Sequence, residues 1–206
     1  MDLAIRSKCE SVETPPPTEF YPLKCPTASD LLSLDVWRAL QHVLPKKYLS
    51  YSLNRCYASH EDGYGLLPLL QYWSSFCVMY RCAEGKAPTL LCLQMEANSD
   101  ILLLFREDCW VNRSDGKGSK STILMRYSKE HMQYWKPAGN EDTWVFVRST
   151  NDRLIVGAGG KEGVSLVVMS DLYHATSQKS EVFLNDPLQE TELFTIRNAE
   201  LYVFVL

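Results

Sequence analysis

The glycine-rich run at residues 157–163 is the first segment of this sequence that could do chemistry. It reads GAGGKEG, and glycine-rich loops in some proteins bind phosphate through backbone N–H groups. A dinucleotide fingerprint requires glycine where Glu162 stands, and a phosphate-binding loop requires Ser or Thr there. The run also lies between two predicted strands, with no helix behind it. We therefore predict a tight β-turn or bulge whose glycines supply positive φ angles.

The cysteines suggest two other chemistries, metal binding and thiol redox reactions. The seven cysteines include no C-x-x-C pair, whereas structural zinc sites use such tight spacings, so we expect no metal and no other cofactor. Cys109 follows the acidic pair Glu107-Asp108 and is the best candidate for an exposed redox thiol, although nearby acids disfavour its thiolate. A protein that consumes oxidants directly through Cys109 stays open as an alternative.

Other catalytic arrangements are not indicated by the sequence. No G-x-S-x-G nucleophile elbow occurs and the four histidines are scattered, although a triad can be assembled from residues far apart in sequence. Acids such as Glu181 or Asp171 leave a hydrolase as a further alternative. We expect a protein that is not an enzyme.

Composition and charge restrict the class of protein. The 206 residues are 46% hydrophobic and 22% charged, as in ordinary globular proteins. A net charge of −4 does not favour binding to nucleic acid or to an anionic membrane. The most apolar stretch, residues 66–80, is too short to span a bilayer, so we expect no transmembrane segment. The odd cysteine count is typical of reduced thiols and predicts a cytoplasmic location.

Two helices are predicted in the first half of the chain, after a proline-rich segment. Residues 1–27 contain the run TPPPT and are predicted to form a flexible tail, followed by one domain over residues 28–206. The first helix is predicted to have Ser29 or Asp30 as its N-cap and to end at Pro45. The second is predicted over residues 66–79.

Short apolar or alternating segments separated by turn residues dominate the second half of the chain. One predicted strand, 48–56, precedes the second helix, and the others follow it: 89–94, 101–105, 122–127, 131–135, 143–149, 154–157, 164–169, 181–184 and 200–205. This spacing is typical of antiparallel strands. It predicts an α+β fold, a two-sheet antiparallel β-sandwich flanked by N-terminal helices.

Several segments, in the same order, resemble the TLDc domain family. The run DRLIVGAGG at residues 152–160 is similar to the family's IGGGG segment, and SEVFLNDPL at 180–188 resembles its C/S-x-x-F-x-N-x-PL segment. PTLL at 88–91 and the closing ELYVF at 200–204 continue the resemblance. It covers residues 31–206 and is strongest to the TLDc part of proteins that also contain a TBC domain.

The sequence also departs from the family pattern. GSKS stands at residues 118–121 where the family shows GTGE, so Ser121 replaces a glutamate. The histidine of the family's HG pair is Asp62 here. A role that depends on that glutamate is therefore not carried over to this chain.

The resemblance implies the TLDc fold and a protein-binding module with no chemical step of its own. It further implies protection against oxidative stress, association with subunits of the vacuolar proton pump (V-ATPase) or with membrane-trafficking proteins, and a place at the periphery of vesicles or lysosomes. Two loops are the candidate interaction sites, and their residues are Gly157, Gly159, Gly160, Gly163, Asp171 and Ser177.

Overall fold

Antiparallel strands make up most of the fold. The computed structural model describes residues 10–12, 29–79, 87–108, 110, 118–139, 142–150 and 152–205. The helical elements in these ranges are α1 (Leu34–Val43), a 3-10 turn (Lys46–Tyr48), α2 (Ser59–Asp62) and α3 (Leu66–Met79). The strands are β1 (Glu10–Val12), β2 (Ser52–Ala58), β3 (Thr89–Met95), β4 (Ile101–Arg106), β5 (Ile123–Ser128), β6 (His131–Trp135), β7 (Val145–Ser149), β8 (Arg153–Ala158), β9 (Leu166–Met169), β10 (His174–Thr176) and β11 (Leu193–Val205).

Strand pairing forms one open path in the order β1-β6-β5-β4-β3-β11-β10-β9-β8-β7, and β2 also pairs with β11. Each of these strand pairs is antiparallel. The start of β11 pairs with β10, whereas its remainder lies between β3 and β2. The predicted α+β class with antiparallel strands is therefore confirmed. The finer arrangement as a two-sheet sandwich stays a prediction.

Both faces of the central strands are buried. On one face, Leu91 of β3 belongs to a core cluster that includes Leu69 of α3 and Val156 of β8. On the other face, Leu90 belongs to a second cluster with Leu40 of α1. Strands buried on both sides lose the alternation of polar and apolar residues, which explains the continuous apolar runs in β3 and β4.

The predicted bounds are correct for helix α3, and the predicted start is wrong for helix α1. Helix α3 has the predicted bounds, and no helix in the described ranges is long and apolar enough to cross a bilayer. Helix α1, however, begins at Leu34, and its N-cap is Ser33, whose side chain accepts from the Val36 N–H at 3.4 Å. The predicted cap at Ser29 or Asp30 is wrong, because the Ser29 hydroxyl accepts from the N–H groups of Leu31 and Leu32 in a separate turn before α1. The same hydroxyl donates to Glu200 at 2.9 Å.

Several strand predictions need correction. Residues 181–184 form a turn closed by an isolated bridge between Ser180 and Asn185, not a strand. The strand predicted at 48–56 begins only at Ser52, after the 3-10 turn. Strand β10 was not predicted, since three residues are too few for a periodic pattern.

The predicted N-terminal tail contains one described element. Strand β1 lies within residues 1–27 and pairs with β6, with Ser11 opposite Gln133. The other residues of the predicted tail lie outside the described ranges. The domain boundary at residue 28 stays a prediction.

A fully buried carboxylate, that of Glu200 on β11, holds the start of the domain against the sheet. Its Oε2 accepts hydrogen bonds from the Ser29 hydroxyl at 2.9 Å and from the Tyr202 phenol at 2.6 Å. Its Oε1 accepts from the Asp30 N–H at 3.1 Å and from Arg55 at 3.2 Å. Burial raises the pKa of Tyr202, so this phenol stays a donor. The chain before α1 is thus anchored to the last strand.

Replacing Glu200 with Gln is expected to lower the free energy of unfolding by about 2–4 kcal/mol. The amide removes the negative charge, and its NH₂ group faces other hydrogen-bond donors in place of a carboxylate oxygen that accepts from them. Equilibrium urea denaturation measures the change. Glu61→Gln is the matched control, because Glu61 is exposed and pairs with the same Arg55. Its expected effect is under about 1 kcal/mol. Equal losses in the two variants would contradict the anchoring role.

Candidate functional site

The glycine-rich run forms the turn between β8 and β9, at one end of the strands. We call this region the glycine corner and define it as residues 157–165 together with residues 177–185. Gly157 has φ of 69° and Gly159 has φ of 102°. The prediction that glycines in this run supply positive φ is therefore confirmed at these two positions.

Two glycines of the run are needed because the segment 177–185 packs directly on their backbone. A Cβ on Gly157 would collide with the Ser165 hydroxyl and with the Phe183 ring. A Cβ on Gly163 would collide with the Gln178 side chain. The loop and the segment 177–185 therefore form one closely packed unit.

The other two glycines also lie against neighbouring groups. A Cβ on Gly159 would meet the backbone carbonyl of Thr143, in the segment that leads into β7. A Cβ on Gly160 would lie 2.8 Å from Glu181 Oε2. Tight packing therefore accounts for glycine at these positions.

Buried hydroxyl and amide groups hold the glycine corner together. The Ser177 hydroxyl donates to the Ser165 carbonyl at 2.7 Å, and the Ser165 hydroxyl donates to Asn185 Oδ1 at 2.8 Å. The Ser180 hydroxyl donates to the Gly157 carbonyl at 2.8 Å. Ser165, Ser177, Ser180 and Asn185 are all buried. The candidate interaction residue Ser177 is therefore a buried residue that holds the loop in place. Its neighbour Gln178 is exposed.

Two backbone N–H groups of the loop donate to side chains of the segment 177–185. The Lys161 N–H donates to Glu181 Oε2 at 2.8 Å, and the Val164 N–H donates to Gln178 Oε1 at 3.3 Å. Lys179 and Glu162 form an exposed ion pair at 2.9 Å. The corner thus presents exposed side chains of both charges on a base held by buried hydrogen bonds.

Asp171 lies away from the glycine corner. It belongs to the turn between β9 and β10, and because β9 is antiparallel to both neighbours, this turn lies at the opposite end of the strands. Its Oδ1 accepts from the N–H groups of Tyr173 at 2.9 Å and His174 at 3.0 Å, and its Oδ2 lies 2.6 Å from His174 Nδ1. Partial burial raises the pKa of Asp171, but these hydrogen bonds outweigh it and hold the pKa at about 2.

Two exposed tyrosines accompany Asp171, and the sequence analysis missed them. The Tyr173 phenol donates to Glu96 Oε2 at 3.1 Å, and the Tyr64 phenol donates to the Arg197 carbonyl at 2.6 Å. The sequence pattern contained no signal for them, because an exposed aromatic residue looks like a core residue until the packing is known. Their rings extend the surface around this turn.

Two of the described cysteines, Cys56 and Cys92, are held as thiols, because burial raises the pKa of each. Burial, with the neighbouring Cys77, raises the pKa of Cys56 to about 12. Burial also raises the pKa of Cys92. Cys109, the candidate redox thiol, lies outside the described residues. Within those residues, no group of three or more His, Cys, Asp or Glu side chains is arranged to hold a metal ion.

Ser121, which stands where the family shows glutamate, lies beside the carboxylate of a different residue, Glu107. It hydrogen-bonds Glu107, and its hydroxyl is 2.7 Å from that of Ser119. Glu107 also pairs with Lys47 at 2.8 Å. Partial burial raises the pKa of Glu107, but these contacts lower it overall. A carboxylate is therefore present beside residue 121, but it belongs to Glu107 and not to residue 121 itself.

Replacing Gly157 with Ala is expected to destabilise the protein by about 2–5 kcal/mol, because it adds the cost of a left-handed backbone to that of an overpacked site. The matched control is Gly63→Ala. Gly63 also has positive φ, 86°, but a Cβ there would meet no atom within 4 Å. Its expected cost is only about 1–2 kcal/mol. Urea denaturation compares the two, and equal costs would refute the packing explanation.

Comparison with known proteins identifies the family. A family model described as the TLDc domain matches residues 25–205. Oxidation resistance protein 1 of Homo sapiens is 27% identical over 178 residues, which cover 85% of this chain and 18% of that protein. The Rattus norvegicus protein of the same name is 24% identical over 176 residues, covering 85% of this chain and 19% of that protein. The chain thus spans about a fifth of the length of these relatives. Because the family model matches most of the chain, this protein belongs to the TLDc domain family.

Proposed function

We propose that this chain is a non-catalytic protein-interaction module that supports resistance to oxidative stress through the V-ATPase or vesicle-trafficking proteins. The observation that carries the proposal is the TLDc match over residues 25–205, together with relatives named Oxidation resistance protein 1. We further propose that the protein acts in the cytoplasm, at the periphery of vesicles or lysosomes.

The geometry of the glycine corner supports a binding role. Its exposed residues, such as Lys161 and Gln178, lie on a base fixed by buried hydrogen bonds from Ser177 and Ser180. A surface held in one conformation before binding loses less conformational entropy when a partner docks. The polar clusters of this region are therefore better explained as supports for a recognition surface than as reacting groups.

We also propose that the strand path folds into the two layers of a sandwich. Support comes from the first core cluster, where Phe146 of β7 and Leu166 of β9 occur together with Leu91 and Leu102 of the central strands. Apolar residues from both halves of the path thus share one interior.

Affinity capture tests the proposed partner. The tagged full chain, expressed in cells and purified at physiological salt, is expected to enrich V-ATPase subunits or membrane-trafficking proteins over a tagged unrelated domain, as measured by quantitative mass spectrometry. Absence of both classes from the enriched proteins would contradict the proposal. Recovery of one class selects between the two partner types.

A survival assay separates the binding role from direct oxidant consumption. Cells that depend on this protein are challenged with hydrogen peroxide, and the Cys109→Ser variant is expected to protect as well as the unchanged chain. A binding module does not need this thiol, whereas a cysteine-based scavenger does. Loss of protection at unchanged protein abundance would favour the redox alternative.

A further inference from the structure

A row of five side chains, three of them apolar, crosses one side of strands β7 to β11. Strand register places Arg148 opposite Ile155, Ile155 opposite Val167, Val167 opposite Thr176, and Thr176 opposite Leu193. Directly opposed side chains lie on the same face of a sheet. These five residues therefore form one line across five strands, which we call the β7–β11 face.

Alternation shows that this line faces outwards. Leu154, Val168 and Phe194, each adjacent in sequence to a member of the row, are buried in the core, and successive side chains of a strand point to opposite faces. Leu193 is 59% exposed, and the other four members of the row are half-buried. The solvent side of an antiparallel sheet is ordinarily polar, whereas three of the five residues here are apolar.

The described helices pack elsewhere. Helix α1 lies against β6, α3 against β2, and α2 against β2 and β11. The contact of α2 with β11 is near Asn198 and Ala199, beyond the part of β11 that pairs with β10. Among the described helices, none therefore has its main contacts on the β7–β11 face. A contiguous apolar area of this kind marks an interaction site more often than scattered exposed apolar residues do.

Charges at the two ends of the face are of opposite sign. Arg153 precedes Ile155 by two residues on the same side of β8, is exposed, and forms no ion pair with another described residue. At the other end, Glu96 Oε2 accepts from the Thr195 hydroxyl at 3.1 Å, and Thr195 follows Leu193 by two residues. A partner that matches this face therefore carries acidic groups at one end and basic groups at the other.

We propose that the β7–β11 face binds an amphipathic helix of a partner protein, with its acidic end over Arg153 and its basic end over Glu96. Helices pack on sheet faces through an apolar stripe. The row crosses four strand spacings, about 19 Å, which corresponds to about 13 residues of helix. This inference rests on the proposed function, because it assigns a surface and a partner chemistry to the interaction module.

A designed peptide tests the apolar part of the face. The probe is a fluorescently labelled helix of about 16 residues, with leucines at three- and four-residue spacing, glutamates in the first turn and lysines in the last. Fluorescence anisotropy with the purified full chain is expected to show saturable binding that Leu193→Asp weakens at least about tenfold. The matched control is Leu34→Asp, since Leu34 is 50% exposed on α1. It is expected to change the affinity by less than about twofold.

A charge exchange tests the orientation of the helix. Arg153→Glu is expected to weaken the probe about tenfold. A second peptide, with lysines in both terminal turns, is expected to bind Arg153→Glu more tightly than the unchanged chain. Lys120→Glu is the control, because Lys120 is exposed and lies in the turn before β5. It is expected to leave both affinities unchanged.

Specific results would overturn the inference. Equal affinity of the unchanged chain, Leu193→Asp and Leu34→Asp would do so, with circular dichroism confirming that each variant is folded. Sedimentation that shows a dimer lost in Leu193→Asp would also do so, since a second copy of the chain would then occupy the face. Capture of V-ATPase subunits without peptide binding refutes only this inference, whereas peptide binding without any such capture refutes only the proposed function.

Discussion

The hydrogen bonding of β11 is the constraint on which the rest of the structure depends. Its 13 residues pair with β10 at one end and with β3 and β2 over the remainder. Register shifts near Ile196 and Leu201 bend the strand, as bulges do. Because no other described strand has three neighbours, β11 joins the β7–β10 strands to the central strands. It also anchors the start of the domain through Glu200, and α2 through the hydrogen bond of Ser59 with Asn198.

The segments that carry the family resemblance turn out to be segments that contact each other. The Ser180 hydroxyl donates to the Gly157 carbonyl, and Ser165 donates to Asn185. The closing segment contains Glu200, whose carboxylate is satisfied by several donors in the interior. Buried polar groups of this kind contribute more to a unique arrangement than to net stability, since their desolvation offsets much of their attraction. Packing thus accounts for the residues of these motifs.

The sequence was sufficient where local periodicity decides the structure. Helix α3 and strand β6 have the predicted bounds because their side-chain patterns are long or regular enough to identify. The predicted cap of α1 was wrong because the Ser29 hydroxyl caps a separate turn, at Leu31 and Leu32, which the distant residue Glu200 binds through that hydroxyl. The sequence predicts a strand at residues 181–184 because Val182 and Phe183 are apolar. Both side chains are indeed buried, but they belong to a turn in which Leu184 has φ of 54°.

The candidate site was predictable only in part, for a similar reason. Glycine in the run 157–163 correctly indicated a tight turn, and Gly157 and Gly159 have the expected positive φ. That Asp171 and Ser177 lie at opposite ends of the strands follows from the antiparallel order of β8, β9 and β10, which no local pattern specifies. The β7–β11 face was missed because its members come from five strands and meet only through register.

Register also links the glycine corner to the β7–β11 face. A slip of one residue between β8 and β9 would turn Ile155 and Val167 inwards and expose Val156 and Val168. The turn joining these strands is fixed by the close packing of Gly157 on Ser165 and by the hydrogen bond from Ser180. The corner therefore determines which side chains the neighbouring face presents. For this reason, residues of the corner can control binding at the face even where the partner touches none of them.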